Sequence, residues 1–399
     1  MNDTSVKTAS CGNISAEPGR DAVWCRERLR LAVAASGTKL ESAGDNFSQE
    51  TVRNYLRGDG LGQQLRRLEA ILPAQANDAA RQVMTAGKQA LVELAGDSPL
   101  TEDGKFGLEA LILLTGRPVL KTVNGDINLN DPRASEWRDR FYLLQRPPGD
   151  LAQRIAAVGR VDSHGRHVGT GFVAGAGLIL TNRHVIQAFA EPIAGTNEWH
   201  LDAEVTIDFA DAPNGINIAS RFRILRIVAA GPHVIGNRGQ NGLTALDAAL
   251  LQVESINEAG TTLPLPVPLS PHENLLGALG ELVVIGYPAR PGNLPTGVDG
   301  SIDAAVVARL GELFDEYGVR TVAPGAPGWQ KWTDGGWAFE HDATTLGGSS
   351  GSCVLSFDGQ AVGLHFGGAW LRTNYAHGLA RLRNTNTFLS TDKLAWTVR

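Results

Sequence analysis

"HDATTLGGSSGSCVLSFDGQAVGLHFGG" (His341–Gly368) sets glycine pairs and serines ahead of two short apolar runs, "CVLSF" and "AVGLHF". One reading is a glycine-rich surface hairpin whose serines serve solubility. The other is a nucleophile turn that exposes the hydroxyl of Ser350 and aims amide protons at a developing oxyanion. Such a turn needs backbone angles that side chains would obstruct, which suits Gly348 and its neighbours. Further on, Asp358-Gly359 between the two apolar runs predicts a two-residue hairpin.

A serine hydroxyl is a poor nucleophile at neutral pH and needs a base, usually an imidazole oriented by a carboxylate. Upstream, "GLILTNRHVI" carries His184 just beyond an apolar run, so its ring can emerge at a strand end. "DAALLQV" opens on Asp247, where a buried carboxylate needs a hydrogen-bond donor such as an imidazole N–H. Asp208 in "VTIDFAD" competes for that role. Singly, each residue has an ordinary structural explanation. Their joint occurrence, in the order His, Asp, Ser within one β-rich segment, favours the catalytic reading.

Around these residues the texture changes along the chain. With 399 residues, 43% hydrophobic and 20% charged, the protein is long enough for two or three globular domains. A net charge of −6 gives no general reason to expect nucleic-acid binding. The polar start lacks the apolar run of a signal peptide, no run is long enough to cross a bilayer, and Cys11, Cys25 and Cys353 are unlike a disulfide framework. A cytoplasmic location is the expectation. Residues 1–20 read as a disordered leader. Residues 21–115 read as a small helical bundle, on runs such as "LGQQLRRLEAIL" with Leu61, Leu65, Leu68 and Leu72 at helical intervals. Residues 116–150 mix Pro, Gly and Asn with one helix-like stretch, "ASEWRDRFYLLQ", and read as a connector. From 151 to 399, short β-branched runs alternate with turn residues, which predicts an all-β barrel or sandwich, with a helical insertion at "SIDAAVVARLGELFDEYG". The fold class is therefore α plus all-β, in several domains.

"GTGFVAGAGLILTNRHV", "LDAALLQV" and "LGGSSGSCV" resemble the three signature regions of chymotrypsin-like serine proteases. The resemblance covers residues 151–399 and implies two six-stranded antiparallel barrels with the site between them. It makes His184 the general base, Asp247 its orienting partner and Ser350 the nucleophile, with the amides of Gly348 and Ser350 as the oxyanion hole. "HDATTLGGSSGS" and "GLHFGG" look closest to the staphylococcal-type glutamyl endopeptidases, which places Thr344, Thr345 and His365 at the specificity pocket. Thr345 and His365 then hold a substrate carboxylate, implying cleavage after Glu, with Asp or Gln as lesser options. Three departures stand out. Ser349 occupies the position where trypsin-like zymogens carry Asp, Cys353 stands where Pro is common, and the long separation of His184 from Asp247 implies an insertion.

The expected function is an intracellular serine endopeptidase acting on protein or peptide substrates without metal or cofactor. Residues 21–115 would recruit or regulate it through a protein partner, by analogy with bacterial defence or signalling proteases. Two alternatives belong to other classes. "SQETVRNYLRGDG" faintly resembles the recognition end of a helix-turn-helix, as in a DNA-binding regulator, yet residues 21–70 hold eight Lys/Arg against seven Asp/Glu, a poor balance for phosphate binding. A catalytically inactive scaffold on the protease fold is the other, and the complete set of Ser350, His184, Asp247 and Gly348 argues against it.

Overall fold

The computed structural model describes residues 118–399 apart from 197, 203, 212–217, 236–244, 274–278, 290–316, 328–336, 346–347, 370–372, 386–388, 390 and 398–399, together with Thr85, Gln89 and Val92. The expected leader, almost all of the helical bundle, the helix-turn-helix-like stretch and nearly all of the helical insertion lie outside the described residues.

The described chain opens with β1 (Leu120–Val123), a turn at Asn124-Gly125, and β2 (Asp126–Ile127). A 3-10 turn (Pro132–Trp137) leads into α1 (Arg138–Gln145), and α2 (Leu151–Ala156) follows. A hydrogen bond from the Arg133 amide to the Asp131 carboxylate caps the 3-10 turn, a common N-terminal device.

Six strands close the first barrel: β3 (Val158–Ser163), β4 (Arg166–Gly175), β5 (Leu178–Thr181), β8 (Val205–Asp208), β9 (Arg221–Ala230) and β10 (Ala249–Val253). Every neighbouring pair runs antiparallel. Ile179 and Leu251 pair on one face of the strands, Ile207 pairs with Phe222, and Phe172 pairs with Leu180 on the face opposite Ile179, all at most 1% exposed. Burial of that apolar surface is the main drive for closure. Between β5 and β8, the short α3 (Arg183–Ile186) is followed by a separate ribbon of β6 (Ala190–Pro192) and β7 (Trp199–Leu201). That ribbon lies within the long stretch between His184 and Asp247.

The second sheet is built from β11 (Leu282–Gly286), β12 (Thr321–Gly325), β13 (Ala338–His341), β14 (Cys353–Ser356), β15 (Ala361–Ala369) and β16 (Thr373–Gly378), and α4 (Leu379–Thr385) follows. Its order is β13-β16-β15-β14-β11-β12, with β1 and β2 added beyond β12. One bridge, Pro327 with His341, joins the chain after β12 to the end of β13, so the six strands form a ring pinned at one end. The Asp342 amide donates to the Ala326 carbonyl at 3.1 Å and reinforces the closure. The hairpin anticipated at Asp358-Gly359 joins β14 to β15, with Gly359 at φ +80°.

One expectation needs correction. The segment read as a connector belongs to the body of the second sheet: Leu120 pairs with Val322 and Lys121 with Thr321. Trp137, Phe141 and Leu144 are buried, and the rings of Trp137 and Phe141 stand 6.1 and 6.0 Å from Phe357 at the tip of the β14–β15 hairpin. Arg154 donates from Nε to the Gly359 carbonyl at 2.8 Å. The Pro, Gly and Asn residues mark tight turns between short elements, and apolar residues between those turns anchor the segment against the hairpin that follows Ser350.

Candidate active site

The three signature segments meet where the two barrels face one another. Strand β5 ends at Thr181, and α3 then places His184 at the barrel's rim. The loop entering β10 supplies Asp247, and the turn entering β14 supplies Ser350. All three are buried, at 3%, 4% and 0% exposure.

Both oxygens of the Asp247 carboxylate are used on His184. The backbone amide of His184 donates to Oδ1 at 2.9 Å, and the ring's Nδ1 stands 2.6 Å from Oδ2. That double grip fixes the ring's position and puts the proton on Nδ1, leaving Nε2 as the free base. Asn182 secures the loop by donating from Nδ2 to the Asp247 carbonyl at 2.8 Å. Burial alone would raise the Asp247 carboxyl. The charge and hydrogen bonds of His184 outweigh burial and hold it below the usual carboxylate range. Asp208, the competing carboxylate, sits elsewhere: it accepts from Ser220 Oγ at 2.7 Å and from the Ala210 amide at 2.9 Å.

Ser350 is presented on a turn that only glycine can flank. Gly348 has φ +84°, and a Cβ there would lie 2.6 Å from Ala289 and 2.8 Å from His167. Gly351 has φ +92°, and its added Cβ would fall 1.8 Å from the Thr170 carbonyl oxygen. The Gly351 amide donates to the His365 carbonyl at 2.9 Å, and the His365 amide donates to the Ser352 carbonyl at 3.0 Å. The turn that carries Ser350 and the His365 strand are thereby locked side by side. Within the turn, Ser352 is committed, since its hydroxyl donates to the Ser349 carbonyl.

Two buried atoms at this junction, Ser350 Oγ and His184 Nε2, have no hydrogen-bond partner among the described residues. Buried polar atoms left unpaired are costly and uncommon. Here they are the two atoms between which a proton would pass, and catalytic hydrogen bonds of this kind often tighten only once substrate is bound.

Thr344 and Thr345 are buried just ahead of the turn. Asn374 on β16 donates to the Ala343 carbonyl at 2.7 Å and ties that segment to the sheet. His365 lies wholly buried, and its Nδ1 stands 3.1 Å from Nε2 of His341. The registers His365–Ala376 and Phe339–Ala376 place His365, Ala376, Phe339 and His341 on one face, and the small Ala376 leaves room for the two rings to meet.

Two histidines that contact these residues escaped the sequence reading. His341 was quoted only as part of a motif. His377 received no role, yet its Nε2 accepts the Asp247 amide proton at 3.1 Å, and its ring stacks on Phe366 at 4.2 Å. Burial depresses the pKa of His341 to about 3 and that of His377 to about 4, the latter partly opposed by the nearby charge of Asp247. The sign of the consequence is clear. Both residues stay neutral in the fold and take up protons on unfolding below the ordinary histidine value of about 6.5, so stability falls with pH in that range. With His167, whose pKa burial likewise depresses to about 3, three such protons give a slope of up to about 4 kcal/mol per pH unit between roughly pH 6.5 and 4. Urea midpoints at pH 7, 6 and 5 should therefore drop progressively, and His377→Asn should flatten the slope. Midpoints that do not move across this range would contradict the burial of these three neutral rings.

A trypsin-like peptidase domain matches residues 169–364, a span holding His184, Asp247 and Ser350. A probable serine protease of Lysobacter enzymogenes is 35% identical over 329 residues, which cover 77% of this chain and 81% of the relative. The chain belongs to the trypsin-like serine proteases. Among solved structures, the inactive form of the Rv3671c protease shares 20% identity, covering 60% of this chain and 92% of that one at a TM-score of 0.34. A serine-to-alanine mutant of it from M. tuberculosis H37Rv gives 20%, 61%, 90% and 0.33. In this protease the aligned 77% of the 399 residues is more than residues 118–399 make up, so the likeness reaches into the N-terminal segment.

Proposed function

We propose that this serine protease hydrolyses peptide bonds with Ser350 as nucleophile, His184 as general base and Asp247 as the carboxylate that orients it. The observation carrying this reading is the grip of both Asp247 oxygens on His184, with His184 Nε2 and Ser350 Oγ left as the two unpaired buried atoms. In the reaction, Ser350 Oγ attacks the scissile carbonyl carbon as its proton passes to His184 Nε2. The carbonyl oxygen becomes an oxyanion, and the amides of Gly348 and Ser350 are its donors. His184 then returns the proton to the departing amine. Water, deprotonated by the same ring, releases the acyl group from Ser350 as a carboxylic acid.

For specificity, the reading is cleavage after Glu, with Asp or Gln as lesser options, in a pocket lined by Thr344, Thr345 and His365. It is supported by the proximity of His365 to the nucleophile turn and by the His341–His365 contact. Donation from His341 Nε2–H to His365 Nδ1 would leave the His365 proton on Nε2, as a donor for a side-chain oxygen. Such donors would go unpaired against an apolar side chain, which is how hydrogen-bonding pockets discriminate strongly. Residues 21–115 would serve as the site through which a protein partner recruits or restrains the enzyme.

Peptide-library profiling tests the pocket. Glu should dominate before the cut, and His365→Ala should erode that preference at least tenfold relative to Gln or Ala. A dominant preference for Arg, Lys or Phe, or an unaltered profile in His365→Ala, would refute the assignment.

A further inference from the structure

Thr170, on β4 of the first barrel, holds the nucleophile turn of the second. Its amide donates to the Ser350 carbonyl at 2.8 Å, and its hydroxyl donates to the Gly348 carbonyl at 2.9 Å. The same hydroxyl accepts from the Tyr287 amide at 3.0 Å, just past the end of β11. The Thr170 carbonyl in turn accepts from Thr181 Oγ1 at 2.6 Å, at the end of the strand that leads to His184. Thr170 is fully buried, and one residue therefore touches the turn, the β11 end and the strand that carries the base.

The hydroxyl matters because of what it fixes. Gly348, at φ +84°, lacks the side chain that would restrict its backbone, and a glycine left to itself samples many φ/ψ states. Its amide is an oxyanion donor only while the peptides on either side keep their orientation. The Thr170 hydroxyl grips the Gly348 carbonyl, and its own direction is set by the proton it receives from Tyr287. A preorganised donor contributes because it need not reorient as charge develops.

We propose that Thr170 is a positioning residue for the oxyanion hole: its hydroxyl holds the Gly348–Ser349 peptide and so fixes the chain on the C-terminal side of Gly348, the flexible residue whose amide must face the reacting oxygen. This rests on the assignment of Ser350 as nucleophile and of the Gly348 amide as an oxyanion donor.

Thr170→Val keeps the shape and the backbone bond to Ser350 while removing the hydroxyl. Thr170→Ser restores the hydroxyl. For full-length enzyme on a peptide substrate, Thr170→Val should lower kcat on the order of 10- to 100-fold with KM little changed, a smaller loss than deleting an oxyanion donor outright. Affinity for a peptide boronate, which mimics the tetrahedral state, should fall in parallel with kcat, while Thr170→Ser stays within about threefold of wild type. If Thr170→Val does not fold, Thr170→Ala replaces it, with the same expected pattern. Wild-type kcat in a hydroxyl-free variant would overturn the proposal. So would an equal loss in folded Thr170→Ser, or a loss confined to KM. Fluorophosphonate labelling separates this from failure of the underlying reading: persistent labelling of Ser350→Ala would remove the nucleophile assignment, whereas full activity in Thr170→Val alone would remove only the role given to Thr170.

Discussion

Ser350→Ala should lose peptide hydrolysis by a factor on the order of 10⁴–10⁶ while remaining folded, because the members of such a triad act as a unit. The loss is expected to fall on kcat. Ser350 Oγ is buried and makes no hydrogen bond among the described residues, so its removal breaks none of the bonds that hold the turn. Those bonds run through backbone atoms, from the Thr170 amide to the Ser350 carbonyl and from the Gly351 amide to the His365 carbonyl. His184→Ala should lose activity comparably. A folded Ser350→Ala enzyme retaining a tenth of wild-type turnover would place the nucleophile elsewhere.

Asp247→Asn is the second large expected effect, about 10⁴-fold in kcat, as is typical when the orienting carboxylate of a triad becomes an amide. The geometry gives the reason. Each carboxylate oxygen accepts a hydrogen bond from His184, one from its backbone amide and one from Nδ1. An asparagine offers one oxygen and one NH₂. If the oxygen keeps the backbone amide, the NH₂ faces Nδ1, so the ring must put its proton on Nε2 and can no longer accept one from Ser350. If the oxygen keeps Nδ1, the NH₂ confronts the His184 amide and the loop must shift. Raising the pH should not rescue the variant, since the defect is the position of the proton rather than its affinity. Kinetics between pH 6 and 10 would check this, and recovery to within tenfold of wild type in alkali would contradict it.

Much of the site was legible because motif residues carry their own local requirements. Gly348 and Gly351 mark a turn that only glycine can make, Asp358-Gly359 marks the hairpin after it, and His184 follows an apolar strand. What could not be read locally depends on packing between distant segments. The β1 strand joins the second sheet because Leu120 and its neighbours find Val322 and Thr321, a pairing that leaves no local sign among turn residues. His377 matters through its contact with the Asp247 amide, and His341 through a ring that reaches His365 across Ala376. Thr170 sits in a quoted motif, yet its grip on Gly348 exists only once the two barrels meet. In each case the residue type was visible and its partner was not.

Three serines crowd the turn, Ser349, Ser350 and Ser352, and the account assigns the chemistry to one of them. Tandem mass spectrometry of the wild-type protein after treatment with a fluorophosphonate tests that assignment most directly. The predicted result is a single phosphonyl adduct on Ser350, abolished by prior treatment with a peptide boronate. An adduct on Ser349, on Ser352 or on a serine outside the turn, with Ser350 unmodified, would contradict it.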